Sequence, residues 1–572
     1  MMEKEWWKKA VVYQIYPKSF RDADGDGSGD IKGITERLDY LKWLGADVLW
    51  VCPVYCSPMD DNGYDISDYY HIDPCFGTDE DMDELIREAD RRGMKILMDL
   101  VVNHTSDEHE WFKRALEDPE GEYAGYYIFR DGRDGGPPDN LRSYFGGSAW
   151  EPVGDGSRYY FHAFGKKQPD LNWENEKVRD EIINMVNYWL DKGLGGFRVD
   201  AIGNLKKNLD ISRYQPDGED GLSYAGTYIL NQPGIEKYLA ELRDRAFKPH
   251  NSMTVAEVSV SDDELEEFIG KDGFFSMVFD FSYADIDIPK TGEWYLDTGW
   301  TTADLRENIF HSQLETQKCG WGALYLENHD QPRSVNKYLP PEDINDHSKK
   351  MLATLYMLLR GTPFIYQGQE IGMTNINMDS LADYDDIATA DQYKRALEYG
   401  MTEDEAWNAV SRRSRDNSRT PMQWDNGKNA GFSSADNVWL KVNPNYEHIN
   451  VNAESRDETS VLQYYRKLVS LRKEGRYADI ITEGEFRPCE SEGDTICYVR
   501  EKDGRGLLVL NNFGKRQESV TAEKRFNKVV SASYGDRDGE GNVKGSGEGR
   551  RDRADAIEYV LRPYESLVLA ED

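Results

Sequence analysis

Three carboxylates stand at the C-terminal ends of hydrophobic, strand-like runs: Asp200 closes GFRVD, Glu257 closes MTVAE, and Asp330 follows LYLENH. In a parallel barrel, polar residues at such ends project into one mouth, whereas strand interiors pack as core. Acids gathered in this way repel one another, which raises the pKa of at least one and leaves a neighbour ionised. A protonated donor beside an ionised carboxylate is the division of labour that glycosidic-bond cleavage requires. Any one of the three, taken alone, has a competing role as a helix cap or an arginine partner; together they point to chemistry.

A second constellation lies near the start. The stretch DADGDGSGD sets Asp22, Asp24, Asp26 and Asp30 among tight glycines. Hard oxygen donors at alternate positions are the pattern of a calcium loop, here without the trailing glutamate of an EF-hand. We read it as a structural site for Ca²⁺ (or Mg²⁺), with a solvated acidic turn as the bland alternative. No organic cofactor is implied.

The elements that must position these residues alternate between β-rich runs and amphipathic helical stretches, the signature of βα units. Strands are expected at Val11 to Tyr16, Val48 to Val54, Lys95 to Val102, Gly196 to Ala201, Met253 to Val258, Ser276 to Phe281, Ala323 to Asn328 and Pro363 to Gln367. Eight strands, with helices expected near 79–93, 176–192, 235–247, 302–317 and 347–360, predict a closed (β/α)8 TIM barrel. The interval 104–172 is rich in Gly, Pro, Tyr and Phe and too long for an ordinary βα loop, so it reads as a small inserted domain after strand three. A further insert, about 379–414, carries helical patterning and is expected to wall the active-site mouth. From about residue 481 the pattern turns to short alternating strands, predicting a C-terminal antiparallel β-sandwich. The expected domains are therefore 1–103 and 173–480 for the barrel, 104–172 for the insert and 481–572 for the β domain.

Composition narrows the partners. Lys and Arg number 69 against 106 Asp and Glu, and the resulting net charge of −37 disfavours nucleic acid and anionic membranes. No run approaches the roughly 20 apolar residues of a membrane span. The opening MMEKEWWKK has no apolar signal core, and the six cysteines, at 52, 56, 75, 319, 489 and 497, show no paired CxxC spacing. We therefore expect a cytoplasmic, monomeric protein with reduced structural thiols, acting on a small neutral substrate and binding neither nucleic acid nor membrane.

The motifs DLVVNH (Asp99 to His104), GFRVD (Gly196 to Asp200), AEV (Ala256 to Val258) and ENHD (Glu327 to Asp330) resemble the four ordered motifs of the α-amylase family. The flanking AVVYQIYPKSF, QPDLNW, GTPFIYQGQEIGM and SRTPMQWD resemble its oligo-1,6-glucosidase and α-glucosidase branch. The resemblance covers nearly the whole chain. It implies a retaining, exo-acting α-glucosidase that takes a small oligosaccharide, in which Asp200 is the nucleophile, Glu257 the general acid/base, and Asp330 a carboxylate that grips ring hydroxyls. His104 and His329 would hold hydroxyls of the bound glucose. Arg198, two residues before Asp200 and so on the same strand face, would keep the nucleophile ionised. Asp61 and Tyr64 in DNGYD, with Arg415, match the family's closure of the non-reducing end, and Phe164 would line the acceptor side. The acidic loop matches the branch's metal loop, in which Ser28 would contribute its backbone carbonyl.

Two relatives within the family use the same triad: sucrose isomerases and trehalose-6-phosphate hydrolases. The segment after Asp330, QPRSVNKYLPPEDINDHSKK, lacks the RLDR-type cluster of the isomerases, and QPDLNW differs from the QADLNW usual in the phosphotrehalases. Transporter subunits that share this barrel carry a membrane helix and lose catalytic carboxylates, which sets them apart. One departure concerns linkage. Ala201 follows the nucleophile where strongly α-1,6-selective members carry Val, so activity is expected on both α-1,6 and α-1,4 substrates, with sucrose a third.

Overall fold

The computed structural model describes residues 5–571 except 210–212, 219, 290 and 545–548, so the first four residues of the N-terminal stretch and the last of the β domain lie outside it. Runs of apolar, β-branched residues form eight parallel strands. They are β1 (Val12–Ile15), β2 (Val48–Val51), β3 (Lys95–Val101), β4 (Gly196–Asp200), β5 (Met253–Ala256), β6 (Met277–Val278), β7 (Ala323–Leu324) and β8 (Thr362–Tyr366). Their order is β6-β5-β4-β3-β2-β1-β8-β7, and a parallel bridge between Phe279 and Ala323 joins the two ends into a barrel. The strands are buried on both faces, which explains their near-continuous hydrophobic sequence.

The strand expected through Asn328 ends at Leu324, so Glu327 and Asp330 sit on an irregular segment beyond β7. Gly196 opens β4 because a Cβ there would meet Met253 O at 1.8 Å. Trp50 on β2 fills the barrel interior, with its ring 5.7 Å from Phe279 and 6.1 Å from Phe364. Such aromatic packing contributes about 0.5–1.5 kcal/mol beyond area burial.

Helices Asp79–Arg91, Glu176–Asp191, Ile235–Leu242, Thr302–Cys319 and Asp346–Met357 cover the barrel where helical patterning is expected. Thr301 starts the longest of them with a capping box, its hydroxyl accepting from Asp304 N while Asp304 accepts in return.

Between β3 and β4, strands Phe129–Asp131, Trp150–Val153 and Arg158–Phe161 form a three-stranded sheet. A piece of the chain after β4 joins this layer. Ser223–Tyr224 pairs with Leu141–Arg142, and Leu209, Tyr214, Ala225 and Ile229 share its apolar core.

At the C-terminus, a five-stranded antiparallel sheet faces a three-stranded one. Leu508 and Leu510 from the first and Val520 and Tyr559 from the second fill the space between. Tyr498 Oη and Arg500 Nη1 donate to the carbonyls of Leu355 and Leu358, tying this domain to the barrel.

All six cysteines are free, with Cys52 and Cys497 buried and Cys75 exposed. Among the described residues no helix is long and apolar enough to cross a membrane.

Candidate active site

Parallel register places Arg198 of β4 directly beside Asp99 of β3, and the two-residue repeat of the strand puts Arg198 and Asp200 on one face. Arg198 is 1% exposed and serves three carboxylates. Its Nη1 lies 2.5 Å from Asp99 Oδ1 and 2.7 Å from Asp200 Oδ1, and its Nη2 lies 2.6 Å from Glu257 Oε1. One cation among three acids leaves the cluster short of positive charge. Burial first, then the neighbouring Glu257 charge, raises the Asp99 carboxyl to about 6, against the pull of Arg198 and a hydrogen bond from Trp50.

Burial is also the largest influence on Asp200 and pushes it up. Arg198 pulls it down, while the charges of Glu257 and Asp99 and a hydrogen bond with Glu257 push it up again. Arg198 thus offsets only part of what burial and the acidic neighbours do to Asp200. Both carboxyl groups sit on the one guanidinium, Asp200 at Nη1 and Glu257 at Nη2 of Arg198.

Asp330 faces opposite electrostatics. Burial would raise it, but His329 and the guanidinium groups of Arg415 and Arg419 hold it well below the ordinary carboxylate range. Arg415 Nη1 is 3.2 Å and Arg419 Nη2 is 2.9 Å from Asp330 Oδ1. His329 is itself pushed down to about 3 by burial, so it is neutral near pH 7 and the two arginines carry the effect. The Gln14 amide donates to His329 Nδ1 at 2.8 Å, leaving Nε2 to hold the proton 3.0 Å from Asp330 Oδ2. Tyr64 Oη lies 2.6 Å from the same Nε2 and donates to Asp99 Oδ2 at 3.2 Å.

Asp61, His104, Gln168 and Arg415 gather at one end of this cluster. Gln168 Nε2 donates to Asp61 Oδ2 at 3.2 Å and lies 3.3 Å from His104 Nε2. His104 is buried, and burial lowers its pKa, keeping the ring neutral. The Asp61–Arg415 pair is long, at 3.5 Å. Burial lifts Asp61 to about 6 despite Arg415 and Arg419. Phe164 rests 5.1 Å from the His104 ring, beside the residues expected to hold the terminal glucose.

Arg415 has a closer partner than either Asp61 or Asp330, one that motif reading passed over. Asp386 Oδ1 accepts from its Nε at 2.9 Å and lies 2.7 Å from its Nη2. Asp386 also caps helix Ile387–Glu398 by accepting from Ala388 N. The insert expected to wall the mouth thus supplies the anchor of Arg415. Arg419, inside the quoted SRTPMQWD, likewise had no expected role and contacts Asp330 directly.

In the acidic loop, carboxylate oxygens of Asp22, Asp24 and Asp30 lie within 4.8 Å of one another. Asp26 stands apart from that trio, accepting from Ser28 N at 2.7 Å.

The family described as "Alpha amylase, catalytic domain" matches residues 14–484. The chain belongs to the α-amylase family. This family member is 45% identical over 530 residues to an oligo-1,6-glucosidase of Parageobacillus thermoglucosidasius, covering 90% of this chain and 92% of that one. Among solved structures it is similar to a trehalose-6-phosphate hydrolase of Bacillus licheniformis, with 39% identity, 99% of each chain covered and a TM-score of 0.89. A trehalulose synthase of Pseudomonas mesoacidophila matches as closely in fold, with 38% identity, 99% of each chain covered and a TM-score of 0.89. This α-amylase family chain is a glycoside hydrolase.

Proposed function

We propose that the enzyme is a retaining, exo-acting α-glucosidase that releases the terminal non-reducing glucose from short α-1,6-linked oligosaccharides, accepts α-1,4 linkages, and also acts on sucrose. The observation that carries exo action is Arg415. Its guanidinium meets Asp386, Asp330 and Asp61 at 2.7, 3.2 and 3.5 Å, forming a charged wall beyond which a longer glucan chain could not continue. The relatedness to an oligo-1,6-glucosidase supports the linkage class.

In this reading Asp200 attacks the anomeric carbon while Glu257 protonates the leaving oxygen. Glu257 then removes a proton from the water that hydrolyses the glucosyl-enzyme. Arg198 holds both carboxylates in register and favours the ionised form of the nucleophile against burial and like charge. Asp330, kept ionised by Arg415 and Arg419, accepts hydrogen bonds from ring hydroxyls that strengthen as the sugar distorts towards an oxocarbenium-like state. His104 and His329, both neutral, hold further hydroxyls.

The loop residues Asp22, Asp24, Asp26, Ser28 and Asp30 would hold a structural Ca²⁺ or Mg²⁺ through oxygen donors alone. The three clustered carboxylates suit such a hard cation. We infer a monomer in the cytoplasm.

Product analysis on maltose, isomaltose, sucrose, trehalose and trehalose 6-phosphate tests the reading. It predicts glucose release from isomaltose and maltose. Sucrose rearranged to an isomer as the main product, or hydrolysis confined to trehalose 6-phosphate, would overturn it.

A further inference from the structure

On the outer side of the barrel, the segment following the acid Glu257 runs past helix Thr302–Cys319 and encloses, with β6, a cavity of about 530 Å³. His311 and Glu315 stand one turn apart on that helix, and Asp262 faces them from the segment. His311 Nε2 lies 3.0 Å from Asp262 Oδ2, and one ligand atom from each of the three residues falls within 4.8 Å of the others.

We propose that Asp262, His311 and Glu315 form a second metal site, for a transition divalent cation of the Zn²⁺ class, that clamps the segment after Glu257 to helix Thr302–Cys319.

An imidazole with two carboxylates distinguishes this set from the all-oxygen acidic loop and favours Zn²⁺, Co²⁺ or Ni²⁺ over Ca²⁺ and Mg²⁺. Bonds of about 2.0–2.2 Å require the three ligand atoms to close to roughly 3.3 Å of each other. The His311 and Asp262 side chains are 58% and 53% exposed and free to rotate that far. Two exposed contacts must give way, the Lys318–Glu315 ion pair and the direct His311–Asp262 contact, and such pairs are each worth at most about 1 kcal/mol. The cavity leaves room for water to complete the coordination sphere, with Ser259, Ser261 and Ser282 lining it. Asp263, Glu264, Glu266 and Glu267 follow Asp262 in sequence and add a negative field that attracts cations.

The test uses the full chain, stripped with EDTA and then kept in excess Mg²⁺ so that any all-oxygen site is satisfied. Calorimetric titration with Zn²⁺ should show one site. His311→Ala and Glu315→Gln should each weaken it about 10- to 100-fold, and Asp22→Asn should leave it unchanged. Zn²⁺ should raise the melting temperature of the parent protein and not of His311→Ala. Co²⁺ should give visible absorption that the same variant loses. The surface position of His311 leaves the fold of the variant intact, which circular dichroism verifies. Absence of Zn²⁺ uptake by the parent chain, or uptake that survives both substitutions, would overturn the proposal.

Discussion

The backbone N–H of Ala201 donates to Glu257 Oε2 at 3.3 Å, from a left-handed conformation with φ of 43°. The residue after the proposed nucleophile therefore binds the proposed acid/base, its main-chain N–H at the end of β4 meeting the side-chain carboxylate just beyond β5. A left-handed alanine costs about 1–2 kcal/mol, strain that the surrounding barrel absorbs.

That geometry sharpens the linkage prediction. Ala201→Val should lower kcat/KM on maltose relative to isomaltose by roughly 10- to 200-fold, the range that about 1–3 kcal/mol of steric mismatch gives. It should also lower the melting temperature, because a β-branched residue fits the left-handed region poorly. Equal losses on both linkages, alongside the lowered stability, would assign Ala201 to backbone packing and not to selection.

Asp386 should act as a positioning residue for Arg415. Asp386→Asn keeps the helix cap but removes the charge nearest the guanidinium. Misplacement of such a group by about 1 Å can cost on the order of 100-fold, and we expect kcat/KM to fall by about that much, mainly through KM. Asp386→Glu should recover part of the loss. Unchanged KM in the Asn variant would show that Asp61 and Asp330 hold Arg415 without help.

Asp61 rises from its ordinary 3.8 to about 6 in the fold, chiefly through burial. Between roughly pH 4 and 6 the folded protein binds more protons at this site than the unfolded chain does, so its contribution to stability declines as pH rises through that window. A shift of this size corresponds to on the order of 3 kcal/mol. Urea unfolding of the parent protein and Asp61→Asn at pH 4 and pH 7 isolates the effect. The parent should lose stability relative to the variant on going to the higher pH, and a constant difference would contradict the assignment.

Much of this architecture was legible in the chain. Buried parallel strands are written as continuous apolar runs, so the eight strands stand out, and Asp200 and Glu257 mark where two of them end. The expected continuation of β7 through Asn328 failed because apolar ALYLEN also suits an irregular buried segment. Asp386 was invisible for a different reason. Its local role is that of an ordinary N-cap, and its partner Arg415 lies 29 positions on, with no spacing rule to connect them. The contribution of Leu209, Tyr214 and Ile229 to the inserted layer likewise depends on tertiary packing, because they follow β4 in the chain and reach the layer only in the folded protein.

Removal of the cation expected at the acidic loop should cost stability more than rate. The carboxylates of Asp22, Asp24 and Asp30 repel one another within 4.8 Å, so EDTA should lower the melting temperature while the initial rate at low temperature changes little. Added Ca²⁺ should restore it, and Asp24→Asn should blunt the response. A melting temperature indifferent to EDTA and Ca²⁺ would identify the loop as a solvated turn.

Asp200→Ala and Glu257→Gln should each abolish nearly all hydrolysis with the fold intact, since both groups act on the bond being broken. The division of roles between them is tested most directly by the configuration of the first product. Proton NMR of an α-glucoside during its initial turnover should show α-glucose appearing first and β-glucose only later, by mutarotation. β-Glucose as the first product would mean inversion, and with it the nucleophilic role of Asp200 would fail.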